Sequence, residues 1–208
     1  MKHLILKVAL AVPIIIASVA GFGATTAGAT PVFGGSLAVS FPFWPNTHWV
    51  NMQVASAFGP SSLINDVYAG SASGCNGCTA LAVSLQVDLV SYASVPPNES
   101  DVAKVVDRGS DDQNLAAAIM IVVTAPGQIN MSASGRAQLA AVQSQLKALS
   151  LVGGSALTVQ GEIGALLGQV IGILQSSVTD PLPGGTVSVA TSTGSGVQIT
   201  SNVQFAIS

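Results

Sequence analysis

Charge is what this chain has least of. Lys, Arg, Asp and Glu make up 7% of its 208 residues, and the formal net charge is −3. A basic footprint for nucleic acid is therefore absent. Histidine and cysteine are equally scarce, with two of each. Past the N-terminal leader only His48 remains, so a zinc knuckle built on the two cysteines needs two more ligands and finds one histidine besides carboxylates. A serine-based catalytic set is also missing, because Gly70-Ser71-Ala72-Ser73-Gly74 puts alanine where a nucleophile elbow needs serine. That leaves a pair of carboxylates brought together by folding as the open catalytic route, and no cofactor is expected. Low charge does not imply disorder here, since 49% of the residues are hydrophobic.

What is present begins with a targeting segment. Lys2, His3 and Lys7 make a positive start, Val8 to Phe22 is an apolar run, and Ala27-Gly28-Ala29 offers small residues to a signal peptidase. We place cleavage after Ala29, with a retained membrane anchor as the rival reading. The exported chain keeps four cations against nine acids, a net charge of −5 with His48 neutral. Export also predicts that a cysteine pair is oxidised.

The strongest local signal runs from Cys75 to Tyr92. Leu81, Val83, Leu85, Val87 and Leu89 fall on every second position, with Ala82, Ser84, Gln86 and Asp88 between them. That is a strand with one dry and one polar face. Cys75 and Cys78 stand at its entrance around Asn76-Gly77, a turn that brings its ends within disulfide reach. The expected role is a structural staple. A thioredoxin-like redox pair needs a helix starting at the motif, and here a strand follows.

Upstream, Phe41, Phe43, Trp44 and Trp49 crowd around His48. They read either as rings plugging the core or as an exposed surface, with Phe43, Trp44, His48 and Trp49 as its candidates. Downstream, Ser100 as an N-cap, an acid in the first turn and Arg108 in the last predict a short helix, Asp101 to Arg108, ended by Gly109. A continuous apolar run predicts a buried strand, Leu115 to Val123. Asp107, Asp111 and Asp112 form an acidic connection, read as a solvated loop or as a calcium site of hard oxygens. Two helices then follow, Ser134 to Leu149 and Leu157 to Val178. Gly164, Gly168 and Gly172 repeat every four residues in the second and predict a smooth stripe against the first helix. The alternative use of that spacing is membrane insertion. Asp180 to Gly185 and Ser192 to Gly196 read as turns, and the alternation ending in Val203, Phe205 and Ile207 is a terminal strand.

Cys75, Cys78, Ala82, Ser84, Gln86 and Val87 match Cys-x-x-Cys-x-Thr-x-Ala-x-Ala/Ser-Phe-Gln-Val, and Asn114 to Ala118 imitates Asn-x-Ala-x-Ala. On these residues the chain resembles exported bacterial proteins, including the extracellular tails of putative peptide zinc metalloproteases. The close match spans residues 65–90, with looser similarity to 149. It departs at Ala80 and Leu85, where the pattern has Thr and an aromatic. The metalloprotease motif His-Glu-x-x-His is absent, so the resemblance implies an exported module and no peptidase activity.

Together these signals predict an α+β protein: a mostly antiparallel sheet with an αα-hairpin packed against or beside it. The segments are a signal peptide (1–29), a strand-rich part with the Cys-x-x-Cys turn (30–130), a helical hairpin (131–180) and C-terminal strands (181–208) rejoining the same domain. The expected function is a secreted or cell-wall-associated structural or interaction module, with a protein, envelope or membrane partner. A membrane-active protein using helix 157–178, or a secreted thiol-disulfide protein, are the alternatives.

Overall fold

A computed structural model describes residues 32–59, 61–91, 97–179, 188–189 and 198–208. The leader and its cleavage site, Pro60, and the turns at Asp180 to Gly185 and Ser192 to Gly196 lie outside these residues.

The chain alternates between two sheets. Strands β1 (Val32–Ser40), β3 (Ser62–Ser71) and β5 (Asn98–Asp107) form one, in the order β1-β3-β5. Strands β2 (Asn46–Phe58), β4 (Thr79–Ser91) and β6 (Gln113–Ala125) build the other. All neighbours among these six are parallel. Asn46 pairs with Thr79 and Thr79 with Gln113, so each circuit advances by 33 residues (46 to 79) and then 34 (79 to 113). The result is a flattened coil in which successive turns stack on one another.

The expected mostly antiparallel sheet is therefore corrected: the sheets are largely parallel. The α+β class stands, with two helices beside the strands. The reason lies in the corners. Phe41 and Trp44 bridge each other across one corner, and Gly59 donates to the Ser91 carbonyl at the next. These turns send the chain into the opposite sheet instead of back along its own. A turn residue signals a reversal, and does not say which sheet receives the next strand. The predicted helix Asp101 to Arg108 is also overturned, because β5 occupies those residues. Ten parallel partners from Ser62↔Asn98 to Ser71↔Asp107 outweigh the marginal stability of two helical turns.

Past β6, β7 (Asn130–Met131) pairs with β8 (Val178–Thr179) and closes the base of a helical hairpin. Helix α1 (Ala133–Ala148) starts at Ser132, whose hydroxyl accepts from the Gly135 amide. Helix α2 (Ala156–Ser177) starts at Ser155, which accepts from Thr158 in the same way. Two further strands, β9 (Ser188–Val189) and β10 (Gln198–Ile207), extend the larger sheet, with β10 antiparallel to β6.

Three layers result. The hairpin covers one face of the larger sheet, where Leu81, Val83, Leu85, Val87 and Leu89 meet Val142, Leu146, Ile163, Val170 and Leu174. The other face of that sheet packs on the smaller sheet. Ala80, Ala82, Ala116 and Ala118 there meet Ala38, Val67 and Ala69, small side chains that let two backbones approach. Leu63, Val90, Met120 and Val122 close the far end of this interlayer. Both faces of β4 are thus buried, and the face expected to be polar and wet is an interior one.

The glycine stripe is a second correction. A Cβ added at Gly164, Gly168 or Gly172 would meet nothing within 4 Å, so the stripe looks outward and α1 packs elsewhere on α2. Its buried residues are Ala156, Val159, Ile163, Leu166, Val170 and Leu174, a different helical face. Gly168→Leu is accordingly expected to leave the melting temperature equal or raise it, by at most about 1 kcal/mol of helix propensity. A clearly lower melting temperature would return the stripe to the interior.

Candidate interaction surface and a buried polar layer

Parallel sheets are usually covered on both faces. Among the described residues, the smaller sheet is covered on one. On its outer face Phe33, Leu37 and Val39 of β1, Tyr68 of β3, and Val102 and Val106 of β5 are exposed, from 36% for Val39 to 60% for Phe33. Leu37 lies beside Tyr68 and Tyr68 beside Lys104 in the register. Leu37, Val39, Phe41, Tyr68, Val106 and Arg108 line an open depression of about 390 Å3.

The aromatic corner adjoins this face. Phe41 stacks on Phe43 at 5.7 Å between centroids, and Phe43 meets Trp44 edge-on at 5.4 Å. Phe43 and Trp44 are 71% and 67% exposed, so the rings are not plugging the core. His48 and Trp49 do not complete one patch with them. As consecutive strand residues they project from opposite faces of β2. Partial burial lowers the His48 pKa below its ordinary value.

The cysteines are joined, with Cα atoms 5.6 Å apart. The Cys78 amide donates to Asp112 Oδ1 at 2.8 Å. Asp107 Oδ1 accepts from the Ser71 hydroxyl at 2.8 Å and the Gly109 amide at 3.0 Å. Those bonds hold the Asp107 carboxyl below its usual range. Asn114 donates to Ser71 and Ser208, tying β6 to β3 and the C-terminus. The calcium reading of Asp107, Asp111 and Asp112 is not supported, because two of the three carboxylates are engaged in this corner. Among the described residues no group of three or more His, Cys, Asp or Glu is placed to hold a metal.

Sequence reasoning missed a polar layer between the sheets. Asn65 of β3 and Ser84, Gln86 and Asp88 of β4 are all but fully buried. Asn65 Nδ2 donates to Asp101 Oδ1 at 3.0 Å and reaches the Ser84 and Ile119 carbonyls at 3.3 and 3.2 Å. Gln86 Nε2 donates to Asp88 Oδ2 at 2.8 Å. The two amide oxygens turn toward Gly34 of β1, where a Cβ would collide with Gln86 Oε1 and lie 3.0 Å from Asn65 Oδ1. Any side chain there would have to displace the Gln86 amide. Five oxygens of this layer have no hydrogen-bond partner: Asn65 Oδ1, Ser84 Oγ, Gln86 Oε1, Asp88 Oδ1 and Asp101 Oδ2.

Unsolvated carboxylates resist ionisation. Burial pushes Asp88 up to about 7, against the Gln86 hydrogen bond and with Glu99 adding like charge. Burial likewise pushes Asp101 up to about 7, opposed by Asn65 and reinforced by Glu99 and Asp66. Glu99 itself is raised by burial. One signal for this layer was present in the sequence. Glu99 and Asp101 share strand parity with Ala103 and Val105, which pack against the alanine cluster. Read as strand, that spacing places both acids on an inward face. No family model, curated protein or solved structure matches the chain.

Proposed function

We propose that the protein is an exported, envelope-associated interaction module that acts through the outer face of the β1-β3-β5 sheet and the adjoining aromatic corner. One observation carries this reading: an apolar face of a parallel sheet with no layer over it among the described residues. The leader Met1 to Ala29 and the resemblance around Cys75 to Val87 support export. Enzymatic chemistry has little support, since His48 and the acids of the buried layer belong to different faces of different strands. The thiol-disulfide alternative is disfavoured by burial, with Cys75 and Cys78 only 3% and 1% exposed.

A membrane-active α2 gains from the outward stripe and from the helix's length and mean hydropathy of 1.5. Against it, inserting the helix would strip Ile163, Val170 and Leu174 from the core they fill.

Co-sedimentation separates the two. The mature chain is incubated with purified bacterial cell walls, and in parallel with neutral and anionic phospholipid vesicles. Recovery with walls is expected, lost by at least about tenfold in Leu37→Asp with Tyr68→Asp, and kept in Gly168→Leu. Salt-resistant recovery with vesicles, impaired by Gly168→Leu alone, would transfer the function to α2. Wall binding unaffected by the outer-face pair would remove that face from it.

A further inference from the structure

The interlayer leaves an oxygen without a hydrogen-bond partner on both Asp88 and Asp101, and its acids sit on elements of unequal attachment. Asp88 lies on β4, which is paired on both sides by β2 and β6. Glu99 and Asp101 lie on β5, an edge strand paired only with β3. We propose that Asp88, held by Gln86, and Asp101, held by Asn65, with Glu99 beside both, form a proton latch that holds β5 on the sandwich in acid and loosens it as the solution turns alkaline.

Every group facing the latch is neutral or acidic. From β5 come Glu99 and Asp101, and from β3 Asn65, with Asp66 acting from the outer side of the same strand. From β4 come Ser84 and Gln86, from β6 Met120 and Val122, from β1 Gly34, and from β10 Asn202 and Gln204, which share the inward parity of Ala206. Lys104 stands at the opposite strand parity of β5, on the outer face beside Tyr68. Among the described residues, no cation therefore compensates Asp88 and Asp101 when they ionise. Each proton held instead removes a buried charge and supplies a donor where five oxygens lack one. Burial raises both carboxyls to about 7, which places the transition near neutrality. Once Asp88 is ionised it repels Glu99, so the force acts between a strand anchored on two sides and one anchored on a single side. Release of β5 relieves it at the cost of one ladder. Val102, Lys104 and Val106 move with that strand, so the outer face is altered at the same time. The latch rests on the interlayer alone and holds whatever the outer face binds.

Amide hydrogen exchange of the mature chain, corrected for the pH dependence of intrinsic exchange, reads the latch strand by strand. Between about pH 5 and about pH 9, protection in β5 is expected to fall at least about tenfold and to drop below that of β4 and β6, which lose only what the fall in global stability removes. Asp88→Asn with Asp101→Asn, a neutral mimic of the protonated pair, is expected to keep β5 protected throughout. Constant β5 protection in the wild type, or an equal loss in the double variant, would overturn the latch. Should that variant not fold, carboxyl carbon NMR titration of the wild type decides. Midpoints near neutrality for Asp88 and Asp101 support the latch, and midpoints below about 5 refute it.

Discussion

Raising the pH from about 4 to about 8 is expected to lower the melting temperature of the mature chain by roughly 10 °C. Folded Asp88 titrates at about 7, whereas its ordinary value is 3.8. Between those two values the folded state binds more protons than the unfolded one, so stability falls as pH rises. The destabilisation is absent below the unfolded value and complete above the folded one. For the fully buried Asp88 its ceiling is about 4 kcal/mol. Asp101 is half-exposed, and solvent screening reduces its share. Asp107 works in the other direction: its lowered value stabilises the fold above its unfolded range and is lost as the pH falls through it. Maximum stability is thus expected in mild acid. Thermal melts at constant ionic strength check this, and a melting temperature that is flat or rising over the same range would contradict it. Asp88→Asn should remove most of the slope.

The second large effect is steric. Ala116→Leu adds three carbons where the two sheets meet through alanines, at a residue with no exposure. The interior is close-packed and neither backbone can withdraw without breaking ladder bonds, so the loss is expected to reach about 3 kcal/mol or more. Urea unfolding monitored by circular dichroism measures it. A midpoint equal to wild type would mean that the sheets are not in contact at this layer.

Local regularities were legible residue by residue. The alternation from Leu81 to Leu89 specified a strand because side chains in an extended backbone face opposite ways. Asn76-Gly77 between two cysteines specified a closed turn, and apolar residues spaced for burial specified two helices. β5 was misread because Ser100, Asp101 and Arg108 carry helix-end chemistry, while partners from Ser62 onward supply its hydrogen bonds. No window along the chain contains those partners. The outward turn of Gly164, Gly168 and Gly172 was hidden for a related reason: small residues suit a close contact, yet larger apolar residues took the inner face of α2 and left the glycines opposite.

By itself, the sequence determined the alternating strand that follows the cysteines, the disulfide turn and the two helices, features whose signals repeat within a few turns or strand residues. Tertiary structure alone decided that the strands run parallel, because that depends on which sheet receives the chain after each corner. It also decided that the polar side of β4 is buried. Ser84, Gln86 and Asp88 alternate as water-facing residues do, and only the second sheet, brought over them by the coil, turns that face into an interior where a carboxyl near neutrality can hold its proton.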